Sequence, residues 1–118
     1  MSAQLTEEMQ ACINTCQSCH AICIETVPHC LSMGGEHAEP AHIGTLLDCA
    51  DLCITAADFM SRGSPVHPST CALCADACIR CAEECERLGE NDVQMQRCAQ
   101  LCRQCAESCR EMALAEAA

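Results

Sequence analysis

Five cysteines recur between residues 71 and 85 at steps of three, four, three and four: Cys71, Cys74, Cys78, Cys81 and Cys85. The same rhythm places Cys12, Cys16, Cys19 and Cys23 in one stretch, with Cys30 one longer step on, and Cys98, Cys102, Cys105 and Cys109 in another. Cys49 and Cys53 complete the sixteen. Thiols serve as soft metal ligands, redox groups, nucleophiles or disulfide partners. Steps of three and four keep a residue on one face of an α-helix, whereas a strand scatters it over both faces. The thiols therefore read as stripes on helices, each stripe facing something. Disulfides fit poorly within a stripe, because i, i+4 neighbours hold their Cβ atoms ~5–6 Å apart and a disulfide needs ~3.5–4.5 Å. Two sulfurs on one metal ion stand up to roughly 4–4.6 Å apart, which suits the spacing. Seven C-x-x-x-C pairs are present (12/16, 19/23, 49/53, 74/78, 81/85, 98/102, 105/109), interleaved with four C-x-x-C pairs (16/19, 71/74, 78/81, 102/105). Cys30 alone stands outside both sets.

Charge narrows the choice of metal. Four Zn²⁺ in all-thiolate sites would occupy the sixteen sulfurs and leave eight negative charges uncompensated in a core. Each unpaired buried charge costs several kcal/mol even after relaxation. One Cu(I) per thiolate leaves the core near neutral, and soft thiolate and thioether ligands select Cu(I). Met9, Met33, Met60, Met95 and Met112 extend the cysteine stripes, as do His42 and His67. Iron–sulfur clusters fit less well, since the C-x₂-C-x₂-C-x₃-C-P run is absent and a straight helix does not wrap a cluster. Plain packing is the remaining reading, but Leu or Ile at these positions would bury more apolar area than Cys.

The elements that must carry these stripes are helices. Helix formers such as Ala72, Ala75, Ala77, Ala82, Glu83 and Glu84 surround the 71–85 cysteines. The first helix is expected over about 6–32, capped by Thr6 with Glu7 and Glu8 in its first turn. Thr26 fills the place its cysteine rhythm skips, Pro28 should kink or end it, and Gly34-Gly35 stops it. Residues 34–39 read as a polar loop, and Pro40 opens a second helix to about 62 with Gly63 as its cap. A third runs from about 68 to 88, and a fourth from about 91 to 113 with Asn91 as cap and a frayed tail beyond. Four such helices joined by short loops predict one all-α domain over residues 1–118. Its form is an antiparallel up-down-up-down four-helix bundle with a cysteine-lined core. The likeness of CADACIRCAEEC to CAQLCRQCAESC is that of a helical-hairpin repeat.

The 118-residue chain carries one aromatic residue, Phe59, and a net charge of −11 with no lysine. That balance disfavours nucleic acid and anionic membranes as partners and suits a protein that handles cations. The first residues show no basic and apolar leader, and no apolar run is long enough to span a membrane. A cytoplasmic protein with reduced thiols is the expectation, and cytosolic cysteine clusters usually bind metal or do redox chemistry.

Over residues ~5–113 the chain resembles the bacterial copper storage proteins, in their cytosolic branch without an export signal. The C-x-x-x-C pairs on successive helices carry that likeness. The resemblance implies many Cu(I) ions along the bundle axis, held mainly by cysteine pairs with His and Met near the ends, and assembly into homotetramers. The second helix departs from the pattern with only two cysteines. Two alternatives stay open: a zinc or general heavy-metal buffer, and a thiol redox or Fe–S electron-transfer protein. No phosphate loop, nucleophile–base pair or carboxylate dyad points to an enzyme. A copper chaperone or chelator is the implied donor or acceptor. Up-down-up-down topology gathers Met9, Met60, His67 and Met112 at one end and Cys30, Met33, His42 and Met95 at the other. The first is the expected port. His20 reads as a helix–helix contact, and His29 and His37 as neighbours of the second end.

Overall fold

The computed structural model describes residues 5–117. Four helices follow one another: α1 Glu7–Met33, α2 Pro40–Ser61, α3 His67–Leu88 and α4 Val93–Ala117. α1 packs on α2 and α4, and α3 packs on the same two, so the helices form a ring with α1 and α3 on one diagonal. Short connections make sequential neighbours antiparallel, giving an up-down-up-down bundle of 51 × 18 × 18 Å.

Local chemistry fixes the boundaries. Thr6 Oγ1 accepts from the Met9 N–H at 3.0 Å, as an N-cap should. Pro28 lies within α1, yet the helix continues to Met33, because its last turn is anchored by the fully buried Cys30. Residues expected as a plain loop contain a 3-10 helix at Gly35–Ala38. α2 ends in a Schellman turn: Gly63 adopts φ +65°, its N–H reaches Met60 O at 3.1 Å, and the Ser64 N–H reaches Phe59 O at 2.9 Å. Arg62 holds the cap position expected for Gly63, which lies one residue beyond it. α3 begins at His67, one residue before the expected start at about 68. Asp92, not Asn91, caps α4, through Oδ1 and the Met95 N–H at 3.1 Å. α4 is helical to Ala117, beyond the expected limit at about 113. A Cβ on Gly89 would stand 2.5 Å from Met95 Cβ and 2.6 Å from Cys85 O, so the α3–α4 corner admits no larger residue there.

The core is built of small side chains. All sixteen cysteines are fully buried, and Ala50, Ala56, Ala57, Ala75, Ala82, Ala99 and Ala106 pack among them with Ile13, Ile22, Leu46, Met60 and Met95. The large aliphatic residues off the cysteine stripes divide between core and surface. Ile13 is buried and Ile79 packs against the core, but Ile24, Leu31 and Leu47 are exposed. A core of thiols and alanines is narrow, so the helices approach closely and these outward residues find no cover within the chain. Caps, helix propensity and alanine packing hold the backbone without needing an ion. The metal-free chain should therefore show strong helical circular dichroism, unlike a zinc finger, which unfolds without its metal. A mostly coil spectrum would contradict this.

Candidate metal centre

Bringing four cysteine stripes onto one axis places sulfur against sulfur. Cys16 Sγ lies 3.4 Å from Cys109 Sγ, and Cys105 lies 3.6 Å from Cys16. Cys78 touches both Cys49 and Cys53 at 3.6 Å, and Cys19 approaches Cys102 at 3.7 Å. These are thiol contacts rather than disulfides, whose sulfurs stand at ~2.05 Å. The sequence directs attention to C-x-x-x-C pairs within helices, yet most of these contacts, and all the shortest, join different helices. Cys74–Cys78 at 3.9 Å and Cys105–Cys109 at 4.0 Å are intrahelical exceptions.

Four sets of four thiols each have all sulfurs within 4.8 Å of one another: Cys16/Cys74/Cys105/Cys109, Cys19/Cys53/Cys78/Cys105, Cys19/Cys23/Cys49/Cys102 and Cys23/Cys81/Cys98/Cys102. The second draws one thiol from each helix. Neighbouring sets overlap: Cys105 joins the first to the second, Cys19 the second to the third, and Cys23 with Cys102 the third to the fourth. No more than two of the four can be filled at once without sharing a sulfur. The arrangement is a ladder, and its natural occupants are ions bridged by common thiolates. Cys12 extends it beyond Cys109 at 3.8 Å, Cys71 adjoins Cys109, and Cys85 adjoins Cys81 and Cys98.

Proton sharing along the ladder is uneven. Cys12 is pulled down to about 3 by hydrogen bonds from Cys109 and then Cys16, against the opposing effect of burial. Cys19 is lowered chiefly by Cys102, while Cys16 is raised chiefly by Cys105. A thiolate surrounded by S–H donors is stabilised, and the donors keep their protons. Metal loading must therefore expel protons from the core.

The two ends differ. At one, Met60 is fully buried, His67 and Met112 nearly so, and Met9 packs partly buried against the core, as the sequence predicts. His67 donates from Nδ1 to Ser64 O at 2.9 Å. At the other, Cys30 Sγ lies 3.3 Å from His42 Nε2, and Met95 is fully buried. Met33 breaks the expected pattern: it is 52% exposed, because α1 ends there and its last residue has no helix to face. Thr26, at the skipped cysteine place, is fully buried; its hydroxyl donates to Ile22 O at 2.7 Å and accepts from Gln94 Nε2 at 3.0 Å. It stands between Cys23 and Cys30 on α1. His20 Nδ1 does bridge α1 to α2, bonding Ala50 O at 2.8 Å. His29 pairs with Asp92 at 2.6 Å, and the His37 ring stands edge-on to His42 with centroids 6.5 Å apart. Sequence reasoning missed Glu84, whose Oε1 lies 3.4 Å from His42 Nδ1. It sits one residue off the cysteine stripe, and no local pattern links it to a histidine forty-two residues earlier.

Cys30 yields a pH prediction. Burial first, then the nearby Asp92 charge, raises its thiol to about 11 from the ordinary 9.0. A raised folded-state value means that the unfolded chain loses the proton first, so stability is intact below pH 9 and falls as pH rises toward 11. Thermal melts of the metal-free protein should drop over that window, and Cys30→Ser should make the drop shallower. An unchanged slope would show that Cys30 is not buried as a neutral thiol.

Comparison with known proteins agrees with this geometry. A family model described as "Copper storage protein" matches residues 5–114. The Nmul_A1745 protein of Nitrosospira multiformis is 43% identical in sequence and superposes with a TM-score of 0.86, over 92% of this chain and 97% of that one. The Cu(I)-bound copper storage protein BsCsp3, of Bacillus subtilis, is 36% identical with a TM-score of 0.82, over 91% and 99%. A cytosolic copper storage protein from Streptomyces lividans, solved with five coppers, is 30% identical with a TM-score of 0.79, over 92% and 93%. With the family match spanning nearly the whole thiol-lined bundle, this chain belongs to the copper storage protein family.

Proposed function

We propose that the protein is a non-catalytic cytosolic store that takes up Cu(I) in bulk through its core cysteines and keeps it from uncontrolled redox chemistry. The single observation that carries this reading is the overlap of the four thiol sets. A store for isolated four-coordinate ions would keep its sets separate, as structural zinc sites do. Shared sulfurs instead suit a monovalent soft ion at about one per thiolate, which also neutralises the core. The metal-loaded relatives support it, including the Streptomyces lividans protein loaded with 10 copper equivalents.

All sixteen cysteines are proposed ligands, with Met9, Met60, His67 and Met112 at one end and His42 and Met95 at the other. Met33, exposed at the end of α1, is the weakest member of the set and fits a transient contact rather than a storage site. Among the described residues no helix is long and apolar enough to cross a membrane. The outward Ile24, Leu31 and Leu47 support assembly into a homotetramer, which would cover them. A copper chaperone or small chelator is the proposed donor and acceptor.

The port is proposed at the end bearing Met9, Met60, His67 and Met112. The opposite end is strapped: Arg87 Nη1 reaches across from α3 to Glu36 Oε2 on the 3-10 helix at 2.9 Å. Thioethers bind Cu(I) more weakly than thiolates and pass it onward.

Elemental analysis after anaerobic loading should find upwards of roughly ten Cu(I) per chain, near one per thiolate. Saturation at four or fewer, or preference for Zn²⁺ in competition, would overturn storage of Cu(I). Replacing Met9, Met60 and Met112 together by Leu keeps volume and hydrophobicity nearly constant, so the fold should survive. Uptake and chelator-driven removal should slow with capacity almost unchanged. Parental rates in that variant, with slowed rates on changing His42 and Met95, would place the port at the strapped end.

A further inference from the structure

Cys30 is the thiol that the shared ladder leaves out. Its described polar partner is His42 Nε2, 3.3 Å away, and both residues are buried. One nitrogen and one sulfur facing each other form a two-donor site, and its quality depends on which ring nitrogen carries the proton. If Nε2 is protonated it cannot ligate an ion. The other face of the ring decides this. His42 Nδ1 lies 3.4 Å from Glu84 Oε1, and Glu84 is itself gripped by Arg87, whose Nε donates to Oε2 at 3.2 Å and Nη2 to Oε1 at 3.1 Å. With both oxygens accepting from a guanidinium, Glu84 is a carboxylate and has no proton to offer. Its neighbour Nδ1 must then be the donor, and in the neutral ring that leaves the Nε2 lone pair aimed at Cys30. Metal-ligating histidines are commonly oriented this way by a carboxylate behind them.

The metal-free distances are too short for an ion, and they show which way the ring must move. A metal between sulfur and imidazole needs roughly 4.3–4.4 Å from S to N, the sum of two bond lengths, against the 3.3 Å present. A good N–H···O contact stands at ~2.9 Å, against the 3.4 Å present. Moving the ring toward Glu84 widens the sulfur–nitrogen gap and tightens the outer hydrogen bond, and the ~0.5 Å of slack there supplies about half of the opening, so Cys30 must give way for the rest. The space exists, because His42, Glu84, Arg87, Glu36, Glu39 and Ala41 line a cavity of about 230 Å³.

We propose that Glu84, clamped by Arg87, is a positioning residue for a terminal Cu(I) site formed by Cys30 and His42, fixing the histidine tautomer and receiving the ring as the ion enters. Thr26 interrupts the thiol stripe of α1 between this site and Cys23, which sets the site apart from the ladder along that helix. The inference rests on Cu(I) being the cargo.

The test reads the His42 ring nitrogens by long-range ¹H–¹⁵N NMR, first without metal and then during titration with Cu(I), which is diamagnetic. The metal-free parent should show the Nδ1–H tautomer, and Nε2 should shift as copper binds. Glu84→Leu, which cannot accept a hydrogen bond, should turn the ring largely to Nε2–H. It should also weaken copper at His42 by roughly 10–100-fold against a chelator, with the ladder's uptake unchanged. Glu84→Gln, which keeps an acceptor oxygen, should restore most of both properties, and circular dichroism checks that each variant is folded. If Leu unfolds the protein, the Gln variant and the parent tautomer still decide: Nε2–H in the parent, or affinity at His42 lost equally in Gln, overturns the proposal. So does a parental tautomer and affinity in a folded Leu variant. A parent that shows the Nδ1–H tautomer but takes up no Cu(I) refutes the storage reading and with it the terminal site.

Discussion

The fold depends on one electrostatic constraint: sixteen thiols lie in a dry core that holds no lysine or arginine to balance them. As thiols they are small, weakly polar groups that pack with alanine at little cost. As thiolates they would place many like charges within a few ångströms of one another, where separation from water makes repulsion severe. The core therefore has two acceptable states, protonated or neutralised by cations, and exchanging one for the other is what a metal store does. The proton pattern in the metal-free core already shows the compromise, with thiolate character favoured at Cys12 and Cys19 and suppressed at Cys16.

This constraint explains the plainness of the rest. Large core residues would push the stripes apart and break sulfur contacts of 3.4–4.0 Å. Alanines hold the helices near one another, and stability is left to caps, turns and polar ties at the ends. The Schellman turn at Gly63, the Asp92 cap and the Arg87–Glu36 contact all sit at bundle ends, clear of the sulfur axis. Ion pairs such as Arg103–Glu86, bidentate between α4 and α3, stay on the solvated surface, where each adds little.

Much of this was legible in the sequence, because cysteine marked the inward stripe more plainly than ordinary hydrophobes would. Steps of three and four gave the helices, and Thr6, Pro40 and Gly34 marked limits the structure keeps within a residue or so. The terminal set of Met60, His67 and Met112 followed from counting along the stripes and is buried as that counting implies. What periodicity could not give was anything lying between helices. It pointed to i, i+4 thiol pairs, whereas the closest pairs are set by helix rotation and offset, which no single helix encodes. Met33 continued the rhythm on paper but lies where α1 runs out, and Glu84 met His42 only through packing. Asp92 displaced Asn91 as cap because its carboxylate also reaches His29, a contact invisible to local propensity.

The overlapping thiol sets point to one continuous shared-sulfur ladder rather than to separate sites. X-ray absorption at the copper edge of the loaded protein tests it most directly. A shared-sulfur ladder should show monovalent copper bound by fewer sulfurs than the four of an isolated tetrahedral site, with a copper–copper shell that grows as loading proceeds. Copper in separate four-sulfur sites, with no metal–metal shell at full loading, would contradict it.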